Sequence, residues 1–164
     1  MINKKARRIN KFYLSTVLLL MLVLPVVSIL IDRHYQPNGS LIALTGKWFV
    51  FWAIGMRLFT AGIRQVAKPA FTLQQIFHIQ STGAQAVVKE LGFANICFGL
   101  AAILSLFIPG WRPAAAFAGG LYLGIAGINH LIKKPASLNE VIAMISDLFV
   151  FVVIGVYLYG CFFK

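Results

Sequence analysis

Acidic side chains are nearly missing from this chain: 4 Asp and Glu stand against 15 Lys and Arg in 164 residues. Charged residues of all kinds make up 12%, against about a quarter in an ordinary soluble domain, which argues against a soluble globular protein. Cysteine is almost as scarce. Cys97 and Cys161 have no pair spacing, which removes a disulfide scaffold and a C-x-x-C redox motif and leaves two thiols expected to pack as small apolar groups. The 3 histidines are scattered with no Cys or His at ligand spacing, so no metal site is expected. No H-E-x-x-H, G-x-S-x-G or phosphate-cradling glycine loop occurs. Enzyme readings therefore start without support, and no cofactor is called for.

What fills the chain is apolar. Hydrophobic residues are 60% and the mean hydropathy is +0.84. Five stretches, Phe12 to Ile31, Leu41 to Ala67, Leu91 to Ile108, Ala114 to Ile132 and Val141 to Phe163, approach the ~20 residues that cross a bilayer. The reading is an all-α integral membrane protein of five transmembrane helices. The first stretch also has the basic start and the Val26-Val27-Ser28 sequence of a signal peptide, but its apolar run continues through Ile31 and fits a span better. Pro25 within it is a kink that a membrane helix tolerates.

The net charge of +11 matters through its placement. Lys4, Lys5, Arg7, Arg8, Lys11, Arg64, Lys68, Lys89, Lys133 and Lys134 fall on one side of the expected spans, while Arg33, Arg112 and Lys164 fall on the other. Basic loops stay cytoplasmic, so the N-terminus is expected inside and the C-terminus outside. Nucleic acid is not an expected partner, because the basic groups are divided among short loops without an aromatic stacking platform. The lipid bilayer is.

Connections are short. Pro37-Asn38-Gly39 gives turn chemistry to the first, and Pro109-Gly110-Trp111-Arg112-Pro113 makes the third and fourth spans antiparallel neighbours. Residues 1–40 supply a basic N-terminus, a first helix and a loop. Residues 41–164 supply a four-helix bundle with an interfacial helix near 70–80. There Thr72 with Gln75 reads as a capping box, Leu73, Ile76, Phe77 and Ile79 give an apolar face, and Ser81-Thr82-Gly83 breaks the helix. Tyr35, Trp48, Trp52 and Trp111 are placed for an aromatic belt. Gly92, Asn95, Gly99 and Ala102 recur at helical spacing on the third span, and Gly120, Gly124 and Gly127 on the fourth. Close approach through these small residues is expected to join the third helix to the fourth.

The polar residues inside the spans carry the functional interest. Arg57 lies roughly 10 Å from Arg64, and Asp147 roughly 10 Å from Glu140, at 1.5 Å per helical residue. Opposite charges at equal depth predict an Arg57 to Asp147 ion pair, since a lone arginine at a helix centre costs ~2.5 kcal/mol or more. Arg64, Glu90, Asn95, Asn129, His130 and Glu140 converge on the same half of the membrane. With the pair they form a polar cluster that could bind a headgroup or small anion, relay protons, or hold the helices in register.

The runs Lys47-Trp48-Phe49-Val50-Phe51-Trp52, Arg57-Leu58, Ala61-Gly62, Glu90-Leu91-Gly92-Phe93-Ala94-Asn95, Ala126-Gly127-Ile128-Asn129-His130 and Ser146-Asp147-Leu148 resemble a family of small bacterial multipass membrane proteins of unknown function, near the DoxX-like group. The resemblance covers residues 41 to 158 and implies a DoxX-like four-helix core in the bacterial inner membrane. It supplies no activity. The expected role is binding or transporting a small amphiphilic or anionic molecule, or stabilising a membrane complex with a protein partner or as a homo-oligomer. The alternative is a non-catalytic membrane subunit of a quinone-linked oxidoreductase.

Overall fold

A computed structural model of the chain describes residues 10–75, 83–135 and 137–163. Among them there is no strand, and five helices are long and apolar enough to cross a membrane: α1 (Lys11–Tyr35), α2 (Leu41–Ala67), α4 (Ala84–Leu104), α5 (Pro109–Lys133) and α6 (Leu138–Phe162). The short α3 (Pro69–Gln75) follows α2. The helices run up and down, so one end of the bundle holds Asn10, Ala67, Ala84 and Leu138 and the other holds Tyr35, Leu41 and Leu104. These are called here the Asn10 end and the Tyr35 end.

The helix expected to lead through Lys89 and Glu90 into the third apolar stretch is present and continuous with it. The third span begins at Ala84, because Lys89 and Glu90 sit on an exposed side of its first turns and do not interrupt backbone pairing. It stops at Leu104, where Ser105-Leu106-Phe107 turns ahead of Pro109. Thr72 does not cap a helix. Pro69 opens α3, since its fixed φ and missing N–H suit a first helical position, and Thr72 is buried one turn inside. Ile76, Phe77, Ile79, Ser81 and Thr82, on which the rest of that reading depended, lie outside the described residues.

The glycine faces are used, but with different partners from those expected. A Cβ on Gly62 would stand 2.6 Å from the Gly92 carbonyl oxygen, and one on Gly99 would stand 2.5 Å from the Phe59 nitrogen. The small-residue face of α4 therefore meets α2. On α5, Gly120, Gly124 and Gly127 receive Ile154, Phe151 and Leu148 of α6. The tight Pro109 link brings α4 and α5 together at their tips, yet a glycine groove is filled best by a bulky or backbone ridge, and α2 and α6 offer those. Cys97 and Cys161 are both exposed rather than packed. Cys97 lies two residues from Asn95 and from Gly99, off the face those residues bury.

Among the described residues two π-helical segments interrupt the α geometry. Leu19–Val23 precedes Pro25, whose missing N–H leaves a carbonyl one turn earlier unpaired, and the wider turn absorbs the mismatch. Val50–Met56 ends directly before Arg57. By adding a residue to the turn it changes the phase of α2, so Lys47 faces α1 while Arg57 faces α6. At the Tyr35 end Lys47 Nζ lies 2.6 Å from Asp32 Oδ2, and the Trp48 indole N–H donates to the same oxygen at 3.0 Å. Trp52 donates to Ser28 at 3.0 Å. Lys47 is thus paired across the α1–α2 seam, and two of the tryptophans read as a belt use their N–H groups inside the protein. Val17 and Met21 bring α1 into the same core as Val50, Ala53, Ile54, Ala102, Ala116, Val150 and Ile154.

Candidate functional site

One helical turn from Ile54 toward the Asn10 end, the core becomes polar. Arg57 extends from α2 to α6, where Nη2 donates to Asp147 Oδ1 at 2.5 Å and to Ser146 Oγ at 2.9 Å. The side chains are 13% and 7% exposed. Ser146 in turn donates to the Ala143 carbonyl at 2.7 Å, which leaves its oxygen lone pairs for the guanidinium. The expected pair is therefore present, with Ser146 as a third member. The other terminal nitrogen, Arg57 Nη1, is buried without a hydrogen-bond partner among the described residues.

Two phenols flank this pair. Tyr13 of α1 faces the Arg57 guanidinium and lies within electrostatic reach of Asp147 and Arg64. Tyr122 of α5 stands against the Asn95 carboxamide, within reach of both members of the pair. Asn95 is 3% exposed and its Nδ2 donates to Gln65 Oε1 at 2.7 Å, while its Oδ1 has no partner. The interior thus holds a donor on α2 and an acceptor on α4 that make no close hydrogen bond among the described residues, with the Tyr13 and Tyr122 phenols as their polar neighbours. His130 of α5 reaches Asp147 electrostatically.

The remaining residues of the expected cluster are distributed unevenly. Arg64 is half-buried, with its guanidinium carbon 5.5 Å from the ring centres of Phe12 and of Phe71. Glu140 is half-buried in the first turn of α6. Glu90 and Asn129 are exposed. At 100° per residue, Glu90 lies two positions from the buried Val88 and Gly92, and Asn129 two positions from buried Gly127, which turns both away from the bundle. Depth alone could not reveal this. Tyr13, Tyr122 and Ser146 were not singled out as site residues. The available signal was that each places a polar tip at the level of the Arg57 pair.

The Asn10 end is also where α1 is tied down. Asn10 accepts from the Tyr13 backbone N–H at 3.2 Å, capping α1, and its own N–H donates to Asn139 Oδ1 of α6 at 3.1 Å. Toward the Tyr35 end the polar region is closed by Val50, Ile54, Val150 and Ile154, at 0, 0, 0 and 1% exposure. Among the described residues no group of three or more His, Cys, Asp or Glu could hold a metal ion.

A bundle of five membrane-length helices around a buried ion pair and a set of unsaturated polar atoms defines a polytopic membrane protein. Residues 11–160 match a family of unknown function (DUF6790), and the chain belongs to that family. No curated protein and no solved structure shows significant similarity to it.

Proposed function

We propose that this protein binds, and moves or presents within its membrane, a small amphiphilic or anionic molecule held in the polar half of the bundle. The reading rests on one observation, the unpartnered Arg57 Nη1. A pair that only locked two helices together would gain by saturating the guanidinium, because a buried donor without an acceptor costs roughly 1–3 kcal/mol. A ligand oxygen supplies that acceptor, and the unpartnered Asn95 Oδ1 offers a second point of attachment. The apolar layer of Val50, Ile54, Val150 and Ile154 makes the Asn10 end the side of entry.

The test uses the purified full chain in neutral-lipid nanodiscs. Dodecanoate is expected to raise the melting temperature, dodecanol to raise it much less, and the charge-neutral variant Arg57→Gln with Asp147→Asn to lose the difference. Equal shifts from both amphiphiles in the parent would overturn the reading. A quinone or redox partner co-purifying with the parent would instead support the quinone-linked subunit, since quinone carbonyls also accept from such donors.

The setting we propose is the bacterial inner membrane, with a DoxX-like arrangement of α2, α4, α5 and α6, the N-terminus cytoplasmic and the C-terminus periplasmic. The distribution of basic residues described above supports that orientation. A reporter active only in the periplasm is expected to work when fused at Asn38 or at the C-terminus and to fail at Ser81. Activity at Ser81 would reverse the orientation.

A further inference from the structure

Arg64 has the form of a receptor. Rings of Phe12 from α1 and Phe71 from α3 each lie 5.5 Å from its guanidinium carbon, which holds the group and leaves its N–H edge as the approach for a partner. Among the described residues the ion pairs are Lys47 with Asp32 and Arg57 with Asp147, so no described carboxylate forms a salt bridge with Arg64. Glu90 is exposed on another side of α4.

Arg64 follows Arg57 by seven residues on α2, about two turns or roughly 10 Å along one face. Tyr13 is within electrostatic reach of both guanidinium groups. A shallow cation and a deep one are thus linked by a phenol, all at the end of the bundle from which the polar interior is approached. The deep cation is already neutralised by Asp147. The shallow one forms no salt bridge among the described residues, which suits a ligand with a single negative charge. A carboxylate matches the planar N–H edge with two parallel hydrogen bonds.

The surroundings also indicate an apolar chain on that ligand. Phe12 is 66% exposed, and Leu19, seven residues on along the same face of the first α-helical turns of α1, is 46% exposed. An alkyl chain could stay in lipid along this face while its headgroup turns in at Arg64. We propose that Arg64, clasped by Phe12 and Phe71, is the entry station of the site and takes the carboxylate of a single-chain amphiphile before Arg57 does. This rests on the binding role proposed above and adds the ligand class and the route.

Dodecanoate binding to the full chain in phosphatidylcholine nanodiscs tests it, by equilibrium titration and stopped-flow. Arg64→Gln is expected to raise Kd about tenfold or more, a change equivalent to 1.4 kcal/mol, mainly through slower association. Phe71→Leu is expected to give a smaller rise. Arg64→Lys, which keeps the charge and loses the planar fork, should fall between parent and Arg64→Gln, and it serves as the second variant if Arg64→Gln elutes abnormally. If Arg64→Gln and Arg64→Lys bind as the parent does while Arg57→Gln with Asp147→Asn loses binding, the entry station is overturned and the deep site stands. If Arg64→Gln loses binding and the deep variant keeps it, Arg64 is supported and the deep site falls. Tighter binding of dodecyl phosphate than of dodecanoate would overturn the carboxylate assignment, and no binding of either by the parent would overturn both proposals.

Discussion

Arg57→Ala and Asp147→Ala, made separately, are each expected to destabilise the folded protein by about 3–5 kcal/mol, the usual loss when one partner of a buried ion pair is removed. The pair is drawn to the top of that range by its surroundings. Its two side chains are 13% and 7% exposed, lie next to a fully buried apolar layer, and cannot recover their hydration by a small rotation. Removing Arg57 leaves Asp147 with no cation in hydrogen-bond contact. Removing Asp147 leaves the guanidinium with neutral neighbours only, the Ser146 hydroxyl and the Tyr13 phenol. The double variant is expected to lose clearly less than the sum of the single losses, and reversible unfolding in mixed micelles through a double-mutant cycle measures the difference. Additive losses would show that the contact contributes no coupling. A double variant that folds as the parent does but no longer responds to dodecanoate would assign the pair to ligand binding rather than to helix locking.

Gly99→Ala is expected to cost about 1–3 kcal/mol, the range for forcing additional atoms into a packed interior. The upper part of that range applies, because the atoms met by the new Cβ are the Phe59 nitrogen and Cα at 2.5 and 2.8 Å and the Gly55 oxygen at 2.9 Å. Backbone cannot swing aside as a side chain can, so α2 and α4 must separate. Gly155→Ala is the control. A Cβ there meets nothing within 4 Å, and alanine is the better helix former by roughly 0.5–1 kcal/mol, so that variant should be as stable as the parent or slightly more so. Thermal unfolding of the two variants side by side checks the contrast. Equal behaviour would mean that the α2–α4 approach is not a determinant of stability. Gly124→Ala should fall between them, since its obstacle is the Phe151 ring at 2.5 Å, which can rotate.

The amino-acid sequence alone determined those features that depend on composition and on distance along a helix. Runs of apolar residues near 20 in length define membrane spans whatever they pack against, and five were legible, the second with its ends at Leu41 and Ala67. Equal depth and opposite sign were enough to pair Arg57 with Asp147, because a charge in an apolar medium has few ways to be compensated. The glycine faces of α4 and α5 could be recognised too, since burial follows the helical repeat.

Which partner each face meets was decided only by tertiary structure. A groove of Gly92 and Gly99 can receive any suitable ridge, and the choice of α2 over α5 depends on three-dimensional fit that linear spacing does not encode. Rotation about the helix axis was equally hidden. Glu90 and Asn129 share the depth of the cluster, yet both point away from it, whereas the Tyr13 and Tyr122 phenols enter it from α1 and α5. The π-helical turn at Val50–Met56 was hidden as well: it shifts the phase of α2 between Lys47 and Arg57 and lets one helix pair with α1 at one end and with α6 nearer the other. Depth follows from counting residues along one chain segment, and orientation follows from the packing of five helices together.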